Sequence, residues 1–131
     1  MFFGLSDADV LTSEQVKTMA KNPIIFALAN PKPEIDPQIA KDADAAVMAT
    51  GSSQYPNQVN NILVFPGLYK GLLSADLNKV DFGLEKAIAS ALANMISNPT
   101  AEKIVPGVFD DGVVNTVAKA VQHYASQKNN D

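Results

Sequence analysis

The stretch that decides the fold is Pro23-Ile-Ile-Phe-Ala-Leu-Ala29, a continuous apolar run that stops at Asn30-Pro31-Lys32-Pro33. An uninterrupted apolar run of this length is typical of a strand in a parallel sheet that is covered on both faces. It ends where two prolines prevent both a sheet ladder and a helix. We therefore predict a buried strand that ends at Ala29, with Asn30 directly after it.

Two further apolar runs predict strands on either side of this one in the sequence. The first covers residues 1–6 and predicts a buried strand, and the second covers residues 45–50 and is closed by Gly51. The first run lies at the very start of the chain, where it has no preceding loop. From this we expect the chain to be cut from the middle of a larger domain.

Helix starts lie between the predicted strands. Thr12, with Gln15 three residues later, forms a capping-box pattern that predicts a short helix to about residue 20. Asp36 followed by Pro37 places an N-cap acid before proline at the first helical position, which predicts a helix to about residue 43. Strands that alternate with helices predict an α/β fold with about three parallel strands and right-handed crossovers.

The second half of the chain is predicted to be helical. An apolar helical stretch covers residues 60–73, with a kink or break expected at Pro66-Gly67. Helical periodicity continues over residues 81–97 and again over residues 112–125. We thus expect helices to flank the sheet and to complete the C-terminal part.

Composition excludes several classes of function. All ten basic residues are lysines spread along the chain, the net charge is −4, and there is no basic cluster of the kind that binds nucleic acid. The absence of cysteine excludes thiol catalysis and disulfides. No run approaches the roughly 18 apolar residues that span a membrane. We expect a cytoplasmic protein that binds neither nucleic acid nor membrane.

Candidate site residues follow from the predicted sheet. Ligands of open parallel sheets bind outside the carboxyl ends of the strands, which points to Ser6, Asn30 and Thr50-Gly51. The loop after the third strand is rich in side-chain amides, which both donate and accept hydrogen bonds. These amides are Gln54, Asn57, Gln58, Asn60 and Asn61. The alternative interpretation is that they cap helices and form turns.

Other polar residues are weaker candidates. His123 lies in the last predicted helix, far along the chain from the strand ends, and is interpreted as a solvated helical side chain. Asp110-Asp111 directly precedes that helix and is interpreted as a cap rather than a metal pair. Tyr55 and Tyr69 are interpreted as packing residues. No glycine-rich dinucleotide motif, P-loop or zinc-binding helix motif is present.

Several motifs together resemble bacterial malic enzymes. They are Phe3-Gly-Leu-Ser6, Ile24-Ile-Phe-Ala-Leu-Ala-Asn-Pro-Lys-Pro-Glu-Ile35, Ala49-Thr-Gly51, Tyr55-Pro-Asn-Gln-Val-Asn-Asn61 and Phe65-Pro-Gly67. The resemblance covers nearly the whole chain. It implies that residues 1–98 are the C-terminal half of a Rossmann-like NAD(P)-binding domain, and that residues 99–131 are a connector and a C-terminal helix.

The resemblance also implies a function and a set of site residues. The activity is oxidative decarboxylation of L-malate to pyruvate and carbon dioxide, with NAD or NADP and with Mg or Mn. By similarity, Asn30 and Asn61 bind the substrate, while Ser6, Asn30 and Asn60 bind the cofactor. Amides at these places suit the orientation of a hydroxyl and a carboxylate for hydride transfer.

The sequence departs from the family at important positions. Many bacterial members have an arginine and an acid where this chain has Ser52 and Gln54. The family's catalytic tyrosine and lysine, its acidic metal ligands and its glycine-rich turn all lie upstream and have no counterpart here. No catalytic residue and no metal ligand is therefore assigned to this chain, and we expect the isolated chain to be inactive.

Three functional hypotheses remain. In the first, the chain is the C-terminal part of a malic enzyme, and its partners are malate or pyruvate and the missing N-terminal part. In the second, it is a non-catalytic stand-alone product that persists as a homodimer in which each copy completes the other's sheet edge. In the third, it is half of the cofactor domain of a malolactic enzyme or another α/β dehydrogenase.

Overall fold

The computed structural model describes residues 1–128, which fold as two compact units. The first unit consists of Met1–Asn60 and Pro99–Ile104. The second consists of Asn61–Asn98 and the residues from 105 to the end of the described chain. The division at residue 98 that the sequence suggested stays a prediction.

The first unit contains a three-stranded parallel sheet in the order β1-β2-β3. The strands are β1 Phe2–Gly4, β2 Ile24–Ala27 and β3 Val47–Thr50. Their register aligns Gly4 with Ala27 and Ala27 with Thr50. The three strands therefore end level with one another, and the predicted α/β fold with parallel strands is confirmed.

Two short helices cross over between the strands. Helix α1, Ser13–Lys17, begins at the predicted capping box of Thr12 and Gln15 and ends earlier than residue 20. Helix α2, Pro37–Asp42, begins after Asp36, whose side chain accepts hydrogen bonds from the backbone N–H groups of Gln38 and Ile39. A consecutive strand order with right-handed crossovers puts both helices on the same face of the sheet. That face holds the core of the unit: Val16, Ile25, Ala27, Ile35, Ala40, Ala43 and Met48.

The opposite face of the sheet is more exposed than the sequence predicted. Phe3 is 57% exposed and Ile24 is 38% exposed, although the ring of Phe3 contacts that of Phe26 at 5.6 Å between centroids. The prediction that β2 is covered on both faces is wrong for the described residues, and so is the prediction that β1 is buried. The physical reason is that both crossover helices cover the other face.

The second unit is helical. A 3-10 turn at Asn61–Leu63 is followed by α3 Phe65–Ser74, α4 Phe82–Ala93 and α5 Val113–Lys128. Its core consists of Leu68, Leu84, Ile88, Val117 and Val121. Helix α4 ends at Ala93 rather than near residue 97, since the chain continues only in single turns. Within residues 1–128 no helix combines the length and apolar character needed to cross a membrane.

Helices α3 and α5 approach each other closely at two glycines. A Cβ atom on Gly67 would lie 2.5 Å from the Cβ atom of Val117, and one on Gly71 would lie 2.6 Å from that of Val121. Pro66 stands in the first turn of α3, where its missing N–H costs no helical hydrogen bond. The expected break therefore falls between the 3-10 turn and α3, and not inside the helix.

The buried side chain of Asn57 fastens the loop after β3. Its Nδ2 group donates to the carbonyl oxygens of Met48 at 3.0 Å and Ala101 at 2.7 Å. Its Oδ1 atom accepts from the backbone N–H of Ile104 at 2.8 Å. The backbone φ of 57° lies in the left-handed region, which asparagine tolerates better than most residues. One amide thus joins the loop, β3 and the segment Pro99–Ile104.

We predict that Asn57→Ala lowers the free energy of unfolding by about 2 to 4 kcal/mol, because it leaves buried backbone groups without partners. Urea unfolding followed by circular dichroism measures the change. Gln54→Ala, an amide truncation at an exposed position of the same loop, is the matched control and should stay within about 0.5 kcal/mol of wild type. Equal effects of the two substitutions would contradict this role for Asn57.

Candidate functional site

The carboxyl ends of the three strands form one edge of the sheet. Since Gly4, Ala27 and Thr50 are aligned, the loops that follow them begin side by side, with about 4.8 Å between neighbouring strands. Ser6 follows β1 and Asn30 follows β2 in these loops. We call this the carboxyl edge. It is where ligands of open parallel sheets bind.

Asn30 presents its side chain at this edge. The residue is exposed, and its peptide bond to Pro31 is cis. Among residues 1–128 its amide has no hydrogen-bond partner. An exposed amide at a strand end offers both a donor and an acceptor to a ligand that carries a hydroxyl or a carboxylate.

Asn60 reaches the same edge through the loop that follows β3. Its Nδ2 group donates to the carbonyl oxygen of Gly51 at 2.9 Å. The backbone of the loop also returns to β3, since the N–H of Val59 donates to the carbonyl oxygen of Thr50 at 2.8 Å. The first unit therefore brings Ser6, Asn30 and Asn60 to one edge. Asn61 is the exposed first residue of the 3-10 turn in the second unit.

A buried carboxylate that the sequence reasoning missed lies behind this edge. The side chain of Glu34 is fully buried. Its Oε1 atom accepts from the backbone N–H of Ser6 at 2.9 Å and from the Ser6 hydroxyl at 3.3 Å. Its Oε2 atom accepts from the backbone N–H of Ala29 at 3.0 Å. One side chain thus joins the loops that follow β1 and β2.

Glu34 is held in its charged form. Burial raises the pKa of its carboxyl, but hydrogen bonds from the N–H groups of Ser6 and Ala29 lower it by more. The pKa of Glu34 therefore lies below its ordinary value, and the group is a carboxylate at neutral pH. The only sequence signal was its place, an acid between Pro33 and Ile35 in the loop that follows the second strand.

The backbone around Glu34 strengthens the same connection. The N–H of Leu11 donates to the carbonyl oxygen of Glu34 at 2.9 Å, and the N–H of Asp9 donates to that of Pro33 at 3.3 Å. Gly4 makes room for the carboxylate, because a Cβ atom there would lie 2.4 Å from Oε1 of Glu34. The two loops are therefore joined by both side-chain and backbone hydrogen bonds.

The weaker candidates do not assemble into a second site. His123 is exposed on α5, and its Nε2 atom lies 3.0 Å from Nε2 of Gln127. Asp110 accepts from the backbone N–H of Gly107 at 3.1 Å. Tyr69 is exposed, and its ring stacks on that of Phe65 with 6.0 Å between centroids. Within the described chain no group of three or more His, Cys, Asp or Glu side chains could hold a metal ion.

Asp81, Tyr124 and Lys128 form the main polar cluster of the second unit. The Asp81 carboxylate caps α4 at the N–H of Leu84 and accepts from the Tyr124 hydroxyl at 2.6 Å and from Lys128. The hydrogen bond from Lys128, followed by that from Tyr124, holds the pKa of Asp81 well below its ordinary value. Every member is thus engaged in tying α5 to the start of α4, a structural role.

A cleft also lies at the other edge of the sheet. Its lining includes Lys17, Lys21, Pro23 and Asp44, close to the amino ends of β2 and β3. This is the wrong edge for a ligand of an open parallel sheet, since ligands bind beyond the carboxyl ends. We therefore assign the candidate site to the carboxyl edge and not to this cleft.

Comparison with known proteins places the chain in a family. The family model described as "Malic enzyme, NAD binding domain" matches residues 2–126. The bifunctional malic/malolactic enzyme of Bacillus subtilis is 44% identical over 129 residues, which cover 97% of this chain and 32% of that protein. The NAD-dependent malic enzyme of Geobacillus stearothermophilus is 43% identical over 123 residues, which cover 92% of this chain and 26% of that protein.

Solved structures show the same relationship. The NAD-dependent malic enzyme of Thermotoga maritima superposes with a TM-score of 0.84 at 44% identity, over 92% of this chain and 32% of that one. The malic enzyme of Entamoeba histolytica superposes with a TM-score of 0.88 at 34% identity, over 94% of this chain and 26% of that one. The chain thus spans between 26% and 32% of the length of these four proteins. The chain belongs to the malic enzyme family, and it matches the NAD-binding domain of that family.

Proposed function

We propose that the chain supplies part of the dinucleotide and substrate site of an NAD(P)-dependent malic enzyme. The reaction is the oxidative decarboxylation of L-malate to pyruvate and carbon dioxide. The observation that carries the proposal is the assembly of Ser6, Asn30 and Asn60 at one carboxyl edge in a chain of this family. A second copy of the chain is the expected partner in a homodimer.

The proposed roles are those that the family resemblance implies, and the chemistry of the residues suits them. Asn30 donates to and accepts from the substrate, and it orients the malate hydroxyl and carboxylate so that hydride can leave the hydroxyl-bearing carbon. The family resemblance alone assigns Asn61 to the substrate as well. Ser6 and Asn60 lie along the cofactor, with Asn60 held by Gly51. The bound dinucleotide, NAD or NADP, supplies the hydride acceptor.

The described residues do not fit a resident Mg or Mn ion. Such ions require several oxygen ligands, and residues 1–128 contain no suitable cluster of acids. Glu34 is committed to backbone N–H groups. We therefore propose that the metal of the complete enzyme is held outside this chain, together with the general acid and base.

The groups not assigned to this chain lead to a prediction about its activity. We predict that the isolated chain produces no NADH or NADPH from malate, because no metal site and no catalytic acid or base is assigned to it. The measurement is dinucleotide absorbance with NAD or NADP, malate and Mn²⁺, and the Bacillus subtilis enzyme serves as positive control. Malate-dependent reduction by the isolated chain alone would contradict the incomplete site.

A malolactic reaction is the second candidate function. It is favoured by one observation, the 44% identity to an enzyme named as bifunctional malic/malolactic. The two reactions differ in product, since the malic reaction gives pyruvate and reduced dinucleotide while the malolactic reaction gives lactate. Product analysis of an active enzyme that contains this chain separates them.

Asn30→Ala tests the substrate site in such an active enzyme. The enzyme is a chimera in which this chain replaces the matching segment of the Bacillus subtilis relative. We predict that Asn30→Ala lowers kcat/KM for malate by about 10- to 100-fold, because a hydrogen bond to a charged or reacting group is lost. The steady-state rate of dinucleotide reduction measures the loss.

Asn78→Ala is the matched control, because Asn78 is an exposed asparagine outside the strand ends. We expect it to leave kcat/KM within about twofold of the parent chimera, as surface substitutions generally have small effects. If Asn30→Ala behaves like Asn78→Ala, the assignment of Asn30 to the substrate is wrong.

A further inference from the structure

Glu34 has three features that a residue stabilising only its own loop would not need. It is fully buried, it is charged, and it receives N–H groups from two different strand-end loops. Among the described residues no lysine lies within ion-pair distance of its carboxylate. The charge is therefore stabilised by hydrogen bonds alone, and these must keep good geometry to offset the cost of burial.

The two backbone N–H donors belong to Ser6 and Ala29, which lie at or beside the proposed ligand contacts. Ala29 directly precedes Asn30, so the hydrogen bond to Oε2 of Glu34 fixes the backbone from which the Asn30 side chain projects. Ser6 gives both its N–H and its hydroxyl to Oε1, which fixes the loop that follows β1. A single rigid carboxylate thus sets the positions of Ser6 and Asn30 relative to each other.

The space around the carboxylate is matched to it. Gly4 lies against Oε1 with no room for a Cβ atom, and Leu11 donates to the backbone carbonyl of Glu34. Glutamine has the same size, but its NH₂ group cannot accept a hydrogen bond. In either amide orientation, one of the two backbone N–H groups of Ser6 and Ala29 then faces a donor.

We propose that Glu34 is a positioning residue that holds Ser6 and Asn30 in the arrangement that the ligand of the carboxyl edge requires. The proposal rests on the proposed function, because that function makes Ser6 and Asn30 ligand contacts. In this role Glu34 itself touches no ligand. It acts through the backbone of the two loops and should be sensitive to the loss of a single acceptor.

Glu34→Gln is the test of this role, in the chain and in the active chimera. In the chain, amide hydrogen exchange by NMR is expected to become about 10- to 100-fold faster at Ser6 or Ala29, because a hydrogen bond to a buried charge is lost. Exchange at Ile25 and Ala27 in the middle of the sheet should change less than threefold. Glu14→Gln, which removes a charge from an exposed position of the same unit, is the matched control and should leave all four rates unchanged.

In the chimera, Glu34→Gln is expected to raise KM for malate or the dinucleotide, or to lower kcat, by at least fivefold. Glu34→Asp keeps the charge and should restore part of the loss, both in exchange and in kinetics. This rescue by charge distinguishes positioning from simple filling of space. Faster exchange of equal size at Ile25, Ala27, Ser6 and Ala29 would overturn the proposal, because it would mean that Glu34 only stabilises the whole sheet.

The two proposals fail in different ways. If Asn30→Ala leaves the chimera fully active, the proposed substrate site is wrong whatever Glu34 does. If Asn30→Ala impairs the chimera while Glu34→Gln leaves kinetics and exchange at wild-type values, the site stands and the positioning role of Glu34 is overturned. If Glu34→Gln speeds amide exchange at Ser6 or Ala29 but not at Ile25 and Ala27, and also impairs the kinetics, both proposals are supported.

Discussion

The carboxylate of Glu34 receives the backbone N–H groups of Ser6 and Ala29, and the arrangement of the carboxyl edge depends on this interaction. The strands of the sheet are only three or four residues long, so the ladder alone gives the loops beyond it little support. A buried charge with several N–H donors is strongly directional, because any displacement leaves the charge without compensation. Gly4 is the corresponding adaptation in β1, since any larger residue would occupy the space of the carboxylate.

The other loop of the edge is fastened by a different device. Asn57 uses all of its amide to join the loop after β3 to Met48, Ala101 and Ile104, and Asn60 joins it to Gly51. Part of the amide-rich loop thus has the turn-forming role that was the alternative interpretation of its composition. Asn30, in contrast, has an exposed amide that serves no turn. Asn57 therefore only builds the edge, whereas Asn60 builds it and is also proposed to contact the cofactor.

The parallel sheet, its crossover helices and the carboxyl edge were predictable because apolar runs, caps and prolines are local signals. Strand β2 forms where the apolar run predicts it but ends at Ala27, two residues before the predicted end, and Asp36 with Pro37 starts α2 as expected from sequence. Glu34 was not predictable, since its importance comes from Ser6, which is 28 residues away along the chain. The exposed face of β1 was also missed, because an apolar run does not reveal which face the crossover helices cover. Contacts that are remote in sequence leave no periodic pattern.

We propose that the carboxyl edge of this sheet carries the dinucleotide. It is tested most directly by titrating NAD and NADP into the isotopically labelled chain and mapping the changes in backbone amide shifts. We expect the largest changes at Ser6, Asn30 and Gly51, while Lys21 and Asn22 at the opposite edge stay unperturbed. Changes concentrated at Lys21 and Asn22, with the carboxyl edge unaffected, would contradict it.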